Sequence, residues 1–367
     1  SASLTNFRFE LIKNLVHAGF EVHAVAPMLS ADKITAKTLV AIGVKMHDIP
    51  LGRTGLNPIR DLWTVVSLIK LFVVVRPNYL LAYTVKPVIY GAIAGFFARI
   101  PNRISLITGL GFVFDDVSNT SSVNRAVKYA SKLLYKIAMA CSHKVIFQNP
   151  DDINLFIKLR LLVVSSKSVL LNGSGVDLKK FPPKTSYSSD VKVFLFIGRL
   201  LDAKGFRELV SAAEIVKSKY PNFVVRVVGS LDDNPNSITS TQLSECIDSG
   251  VIEYLGHLSN VSTALLDADV FVLPSYREGT PRSVLEAMAT GLPIITTDAP
   301  GCRETVIDGE NGFLVEVRNA DSLANAMIKF LDDPSLLKLM GLRSLEIARE
   351  KYDVHKVNDV ILAEILK

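Results

Sequence analysis

Short, almost unbroken apolar runs such as Val193-Phe-Leu-Phe-Ile197 and Val270-Phe-Val-Leu273 recur along this chain between stretches of helical spacing, and that alternation leaves few folds open. Runs at 21–27, 79–83, 103–107 and 144–147 in one half, and at 192–197, 224–228, 251–254, 270–273 and 293–296 in the other, read as strands. Strands alternating with helices predict parallel sheets, with ligands at the carboxyl ends of the strands. A chain of 367 residues exceeds what one hydrophobic core serves, so two such domains are expected. Gly, Asn and Pro punctuate Leu171-Asn-Gly-Ser-Gly-Val-Asp-Leu-Lys-Lys-Phe-Pro-Pro183, which gives a first domain over 1–171, a linker over 172–190 and a second domain over 191–350. Residues 352–366 read as an amphipathic helix. At the other end, residues 9–19 read as a helix and 1–6 as a loop. A doubly wound domain normally opens on a strand, so the first strand of the N-terminal domain is expected to be missing.

Two turns concentrate the chemistry. The first runs Gly198-Arg199-Leu-Leu-Asp-Ala-Lys204-Gly205 after an apolar strand. Two fixed cations beside a helix start suit a diphosphate: Arg supplies a planar fork and Lys a point charge. The spacing does not fit a Walker A loop, which excludes that class of nucleotide triphosphatase. The second turn, about eighty residues on, is Glu278-Gly279-Thr280-Pro281-Arg-Ser-Val-Leu285-Glu286. Gly279, Thr280 and Pro281 form a strand-to-helix elbow, and the N–H groups of Gly279 and Thr280 can donate to hydroxyl or phosphate oxygens. Its two carboxylates address different parts of one elongated ligand, a hexose near Glu278 and a ribose near Glu286. Alone, such a pair would read as two solvated glutamates.

Taken with Tyr254-Leu-Gly256, Leu273-Pro-Ser-Tyr276 and Asn311-Gly312, these turns resemble, in order and spacing, a retaining family 4 glycosyltransferase. The resemblance covers essentially the whole chain. It implies an α/β GT-B fold, two Rossmann-like doubly wound domains facing across a cleft, with the last helix, 351–367, packing back on the first domain. Asn6-Phe7-Arg8, Tyr83-Thr-Val-Lys86-Pro87 and Leu106-Ile-Thr108-Gly109-Leu-Gly111 most resemble bacterial enzymes that extend undecaprenyl-diphosphate-linked sugars, especially α-N-acetylgalactosaminyltransferases. On that resemblance Gly198, Arg199, Lys204, Gly256, Glu278, Gly279, Thr280, Pro281, Leu285 and Glu286 bind a UDP-sugar, and Arg199, Lys204 and Glu278 are catalytic. Arg8, Lys86, Thr108, Gly109 and Gly111 are the acceptor-side candidates. Many family members carry a histidine near residues 102–122; this chain has none there, so no histidine role is carried over. The donor is a co-substrate and no other cofactor is implied.

Charge is divided unevenly: residues 1–180 hold 22 Lys and Arg against 10 Asp and Glu, whereas the remainder holds 19 against 26. The first domain therefore meets something anionic, a membrane surface or a lipid diphosphate in preference to nucleic acid. Arg125, Lys128, Lys132 and Lys136 form a basic stripe alternating with Val127, Ala130, Leu134 and Ile137. That profile fits a helix lying on anionic lipid and equally a solvated face over a buried one. In 62–75 the face of Leu62, Val66, Ile69 and Val73 is expected to pack on the sheet. No stretch reaches the roughly 18 apolar residues of a spanning helix, because Lys70 and Arg76 interrupt the best one. The expected location is the cytoplasm, peripherally on the inner face of the cell membrane. Cys141, Cys246 and Cys302 are widely spaced, and His17, His23, His47, His143, His257 and His355 lack zinc-type spacing. No metal is expected, and Asp232-Asp233 reads as a solvated turn.

The expected reaction moves a hexosamine, N-acetylgalactosamine first, from a UDP-sugar to a polyprenyl-diphosphate-linked saccharide in surface polysaccharide or glycan assembly. Other donors (galactose, glucose, N-acetylglucosamine, a uronic acid) remain open. A sugar-nucleotide 2-epimerase would need acid/base groups that the motifs do not supply, and a non-catalytic lipid-surface module would not need both cations and both glutamates.

Overall fold

The computed structural model describes residues 2–52, 57–110, 122–162, 167–186, 191–232 and 237–366, with backbone alone over 122–126. The chain forms two compact units, Ser1–Ser174 with His355–Lys367, and Gly175–Val354.

In the first unit, α1 (Ser3–Phe7) and α2 (Phe9–His17) lead to β1 (His23–Ala26), α3 (Lys33–Val40) and β2 (Lys45–Asp48). Residues 3–7 are thus helical and not the expected loop. Leu4 is buried beside Ala24 and Ala26, which gives that turn a reason to coil. Then follow α4 (Pro58–Val75), β3 (Tyr79–Tyr83), α5 (Val85–Phe97), β4 (Asn102–Ile107), α6 (Ser122–Cys141), β5 (Lys144–Phe147), α7 (Pro150–Lys158) and β6 (Ser168–Leu170). The described strands make two parallel sheets, β1-β2 and β3-β4-β5-β6.

Helix boundaries follow capping chemistry. Asn57 accepts from the Arg60 N–H at 3.2 Å with Pro58 in the first turn, and α4 stops where Arg76 turns left-handed at φ 52°. Asn149 and Pro150 open α7 the same way, the Asp152 N–H donating to Asn149 at 2.8 Å.

One expected face is partly rotated, and a second helix buries a different row from the one singled out in the sequence. On α4 the buried ridge is Asp61, Thr64, Leu68 and Phe72; of the four residues expected against the sheet, Ile69 packs on the core and Val66 is half-buried, whereas Leu62 and Val73 point outward. Among the described side chains of α6 the buried residues are Ser131, Tyr135, Ala138, Met139 and Cys141, and Ile137 is exposed alongside Tyr129 and Leu133. In both helices, neighbouring i, i+3, i+4 rows were similarly apolar, and periodicity selects poorly between such rows.

The second unit holds β7 (Lys192–Ile197), α8 (Phe206–Lys217), β8 (Phe223–Val228), α9 (Ser240–Asp248), β9 (Ile252–Gly256), α10 (Ser262–Leu266), β10 (Val270–Leu273), α11 (Arg282–Thr290), β11 (Ile294–Thr297), β12 (Gly312–Val315), α12 (Ala320–Asp332) and α13 (Ser335–Lys351). Its strands form one parallel sheet in the order β12-β11-β10-β7-β8-β9. Every residue of β10 and β11 is buried, as expected of strands covered on both faces. The last helix, α14 (Val354–Leu366), returns to the first unit. There Val357, Ile361 and Ile365, one residue per turn, share a core with Leu11, Leu106, Ile146 and Leu171. Three such buried side chains stabilise by about 1.5–3 kcal/mol each as an upper bound.

Candidate active site

In the second unit the chain winds outward from β7 through β8 to β9, then returns to lay β10 against the other edge of β7 and continues outward through β11 to β12. Winding reverses between β7 and β10, and a crevice at such a switch point is where doubly wound sheets take ligands. The two turns singled out in the sequence leave the carboxyl ends of these two strands.

Backbone contacts join them. Gly205 ends the 3-10 turn Asp202–Lys204 at φ 70°, and a Cβ there would lie 2.1 Å from the Pro274 carbonyl oxygen. The Tyr276 N–H donates to the Ala203 carbonyl at 2.9 Å. On the other side of β7, a Cβ on Gly229 would meet the Gly198 carbonyl oxygen at 1.9 Å. The turn after β11 supports the second elbow from behind: the Glu278 N–H donates to the Pro300 carbonyl at 2.9 Å, and Gly301 at φ 81° leaves no room for a side chain beside the Glu278 backbone.

The side chains fall into three ion pairs. Lys204 Nζ hydrogen-bonds Glu278 Oε1, their side chains 22% and 13% exposed, so residues from separate elbows meet directly. Glu286 accepts from Arg282 Nε at 2.8 Å; burial pushes its carboxyl above the usual range, against the opposing pull of Arg282. Arg199 is half-exposed, its Nη1 2.9 Å from Asp232 Oδ2. Asp232, expected to be solvated, thus holds the arginine, and Asp233 lies outside the described residues. Beneath the elbow, Cys302 is buried; that burial, with the Glu278 charge adding to it, pushes its thiol up to about 12 and leaves it inert. Tyr276 donates to Glu208 at 2.7 Å under the Arg318 guanidinium, 4.5 Å from the ring centre.

Of the other donor candidates, Gly198 follows β7 directly, and Gly256 ends β9 at φ 72° with its carbonyl accepting from the Gly229 N–H at 2.9 Å. Gly279 and Thr280 lie in the elbow. Pro281 is the cap of α11, one position before the first turn, and both the Val284 and Leu285 N–H groups return to its carbonyl at 3.1 and 3.3 Å. The Leu285 side chain is wholly buried in the core, so only its backbone can face a ligand. Asn311 is structural: fully buried, it accepts from the Ile307 N–H at 2.8 Å and donates to the Thr305 carbonyl at 3.1 Å. Sequence reasoning missed Arg282 and the Pro300-Gly301 turn. The i, i+4 spacing of Arg282 and Glu286 and the Pro-Gly pair after an apolar run were the available signals.

In the first unit the acceptor-side candidates stand at the carboxyl ends of β3 and β4, but not as open cations. Arg8 is only 3% exposed, its guanidinium 5.3 Å from the Tyr83 ring centre. Lys86, at the start of α5, pairs with the buried Asp61 at 3.1 Å, and Asp61 is a partner that the sequence did not announce. Thr108 and Gly109, at φ 125°, follow β4. Gly111 lies outside the described residues, as does the Arg125 side chain; Lys128 and Lys132 are half-buried and Lys136 is exposed. Among the described residues no three His, Cys, Asp or Glu side chains cluster as metal ligands.

Comparison with known proteins gives this arrangement its context. Residues 178–344 match the model of the glycosyl transferases group 1 family. The chain is 31% identical over 347 residues, 91% of its length and 88% of the relative's, to the Campylobacter jejuni N,N'-diacetylbacillosaminyl-diphospho-undecaprenol alpha-1,3-N-acetylgalactosaminyltransferase. It is 28% identical over 306 residues, 80% and 76% of the two lengths, to the Escherichia coli UDP-Gal:alpha-D-GlcNAc-diphosphoundecaprenol alpha-1,3-galactosyltransferase. Among solved structures, sucrose-phosphate synthase from Thermosynechococcus elongatus superposes with a TM-score of 0.79 at 20% identity, over 97% of this chain and 91% of that one. The fold is GT-B, and the chain belongs to the group 1 glycosyltransferases.

Proposed function

We propose that this glycosyltransferase moves a hexosamine, N-acetylgalactosamine first among candidates, from a UDP-sugar to a saccharide carried on a polyprenyl diphosphate, with retention at the anomeric carbon and without a metal. The observation that carries the reading is the Lys204–Glu278 pair at the β7/β10 switch point: a cation for the diphosphate and a carboxylate for the sugar, held in contact by two elbows whose backbones touch. Relatives named for undecaprenyl-diphosphate acceptors along most of the chain support the acceptor class, and the Anabaena protein HepE, solved with UDP-glucose at a TM-score of 0.74, supports the nucleotide.

In the step proposed, the acceptor hydroxyl oxygen bonds to the anomeric carbon on the face that UDP leaves. The bond from that carbon to the diphosphate oxygen breaks, and the hydroxyl proton passes to the departing phosphate. Charge grows on that oxygen, and Arg199 and Lys204 stabilise it. To do so both must turn from their carboxylate partners towards the phosphates. Glu278 is left to orient the hexose and Glu286 to accept from the ribose hydroxyls. Arg8, Lys86, Thr108 and Gly109 are assigned to the acceptor in the same reading.

The first unit would rest on the inner membrane surface through the α4–α6 layer, where Ile59, Leu62, Trp63, Phe97 and Tyr129 are exposed among basic residues. None of the described helices is long and apolar enough to cross a membrane.

A panel of UDP- and GDP-sugars, each incubated with and without a polyprenyl-diphosphate saccharide, tests the reading. Transfer from UDP-N-acetylgalactosamine with retained configuration is expected. Epimerised donor without transfer, or binding without any product, would replace it.

A further inference from the structure

In the second unit one residue of the second elbow grips the first elbow on both sides of Lys204. The Tyr276 N–H donates to the Ala203 carbonyl at 2.9 Å, one residue before Lys204, and the Tyr276 hydroxyl donates to Glu208 Oε1 at 2.7 Å, four residues after it. Glu278 follows two residues on from Tyr276. Glu208 is half-buried, and its Oε2 is closed to solvent without a hydrogen-bond partner, so the tyrosine hydroxyl anchors this carboxylate. A third element reaches the same ring. Arg318, in the turn between β12 and α12, holds its guanidinium 4.5 Å from the Tyr276 ring centre. Its backbone is left-handed at φ 59°, a conformation that glycine or asparagine would hold with less strain. The turn itself is capped from within: Asn319 accepts from the Ser322 N–H at 2.9 Å and donates to Glu316 at 2.7 Å. Arg318 is exposed, so core packing gives no reason for an arginine at a strained position; the contact with the ring does.

We propose that Tyr276, pinned between Glu208 and Arg318, is a positioning residue for the transfer: it sets the separation of the two elbows, and Arg318 acts through its ring. The inference rests on the roles given above to Lys204 and Glu278. Those roles require the two side chains to part and take hold of the donor while their backbones stay in register. Once the pair has parted, its own contact no longer holds the elbows together. The brace does, because its anchors on α8 and on the β12–α12 turn lie outside the ion pair and are unchanged when it opens. Geometry of this kind is worth rate: a misplacement of about 1 Å can cost about 10². Release of the outer anchor alone, with the Ala203 and Glu208 contacts kept, should cost less, about tenfold.

The test begins at Arg318, because removing the Tyr276 hydroxyl would leave Glu208 with neither oxygen bonded and lower stability as well. Arg318→Gly and Arg318→Asn suit the left-handed backbone and remove the cation, whereas Arg318→Lys keeps it. With UDP-N-acetylgalactosamine and a polyprenyl-diphosphate saccharide, turnover of the Gly and Asn variants is expected to fall about tenfold, with the thermal midpoint kept or raised. UDP affinity by calorimetry should stay within about twofold of the parent, and Arg318→Lys should recover most of the turnover. In a Tyr276→Leu/Glu208→Leu background, which removes ring and carboxylate together, Arg318→Gly should lower turnover no further. Gly and Asn variants that turn over like the parent overturn the proposal. So does a full further loss in the Leu/Leu background, which would mean that the arginine acts by another route; the single variants decide alone should that background not fold. Lys204→Ala measured beside them separates this proposal from the one beneath it. Parent-like turnover in Lys204→Ala overturns both, whereas an inactive Lys204→Ala with unimpaired Arg318 variants overturns the brace alone.

Discussion

Lys204 and Glu278 pair across the two elbows, and on the proposed reading a sugar diphosphate draws the lysine to its phosphates and leaves the carboxylate to the sugar. Replacing Lys204 by alanine removes the cation that the proposed reading gives to the leaving group, and with it one partner of a carboxylate that is 13% exposed. By analogy with loss of one preorganised donor to a developing oxyanion, turnover should fall by about 10²–10³, equivalent to about 3–4 kcal/mol. The Lys204→Ala/Glu278→Gln double variant separates the two effects. If the pair were only structural, neutralising Glu278 as well would restore turnover; on the proposed reading turnover stays low in the double variant.

Glu286 supplies a second residue-level test, because burial raises its pKa. A carboxyl whose folded pKa is raised contributes stability that is complete below the unfolded value, near 4.5, and is lost as pH rises through the folded one. UDP binding should run the opposite way. On the proposed reading the ionised form accepts from the ribose hydroxyls more strongly than the protonated one, so affinity weakens as pH falls through the raised value, earlier than an ordinary glutamate would produce. Calorimetric titration of UDP across the acid range should show this slope. Glu286→Gln should bind more weakly and lose the Glu286 part of it; an unchanged profile in that variant would remove Glu286 from the ribose.

At the scale of elements, two glycines with nearly the same backbone conformation make a controlled comparison. Gly205 at φ 70° and Gly256 at φ 72° would each charge alanine about 1–2 kcal/mol for the left-handed conformation. At Gly256 nothing lies within 4 Å of the added Cβ, whereas at Gly205 it meets the Pro274 carbonyl oxygen at 2.1 Å. Gly205→Ala must therefore push the elbows apart, and it should lower both turnover and the thermal midpoint more than Gly256→Ala does; equal losses of turnover would mean that elbow contact does not set the chemistry.

The same scale decides what could be read in advance. Strands buried on both faces, β7 and β10 above all, declare themselves as apolar runs, and the elbows follow from Gly and Pro at their ends. β2, with the sequence Lys-Met-His-Asp, and the three-residue β6 carry no such run, and β12 opens on a glycine that packs against the Ile294 carbonyl. Partner choice was the least legible feature. Asp232 and Asp61 find their cations through tertiary contact, which spacing along the chain does not encode.

For the whole molecule the excess of basic residues in 1–180 acquires meaning from where apolar side chains are exposed. Charge alone steers a protein towards anionic lipid; adhesion requires apolar side chains that can enter the interface. Trp63 is 57% exposed on α4 with Lys70 5.8 Å from its ring centre, and Phe97 and Tyr129 are exposed on α5 and α6. Since Trp63 is the only tryptophan, its fluorescence reports this surface without interference. Vesicles containing phosphatidylglycerol should shift its emission to the blue, phosphatidylcholine vesicles should not, and the shift should weaken as salt is raised from about 0.05 to 0.5 M, where the screening length falls to a few ångströms. Replacing Lys132 and Lys136 by glutamate should weaken binding without altering transfer to a water-soluble acceptor analogue. If the emission shifts equally with both lipids and ignores salt, contact is apolar alone and the uneven charge serves the diphosphate of the acceptor instead.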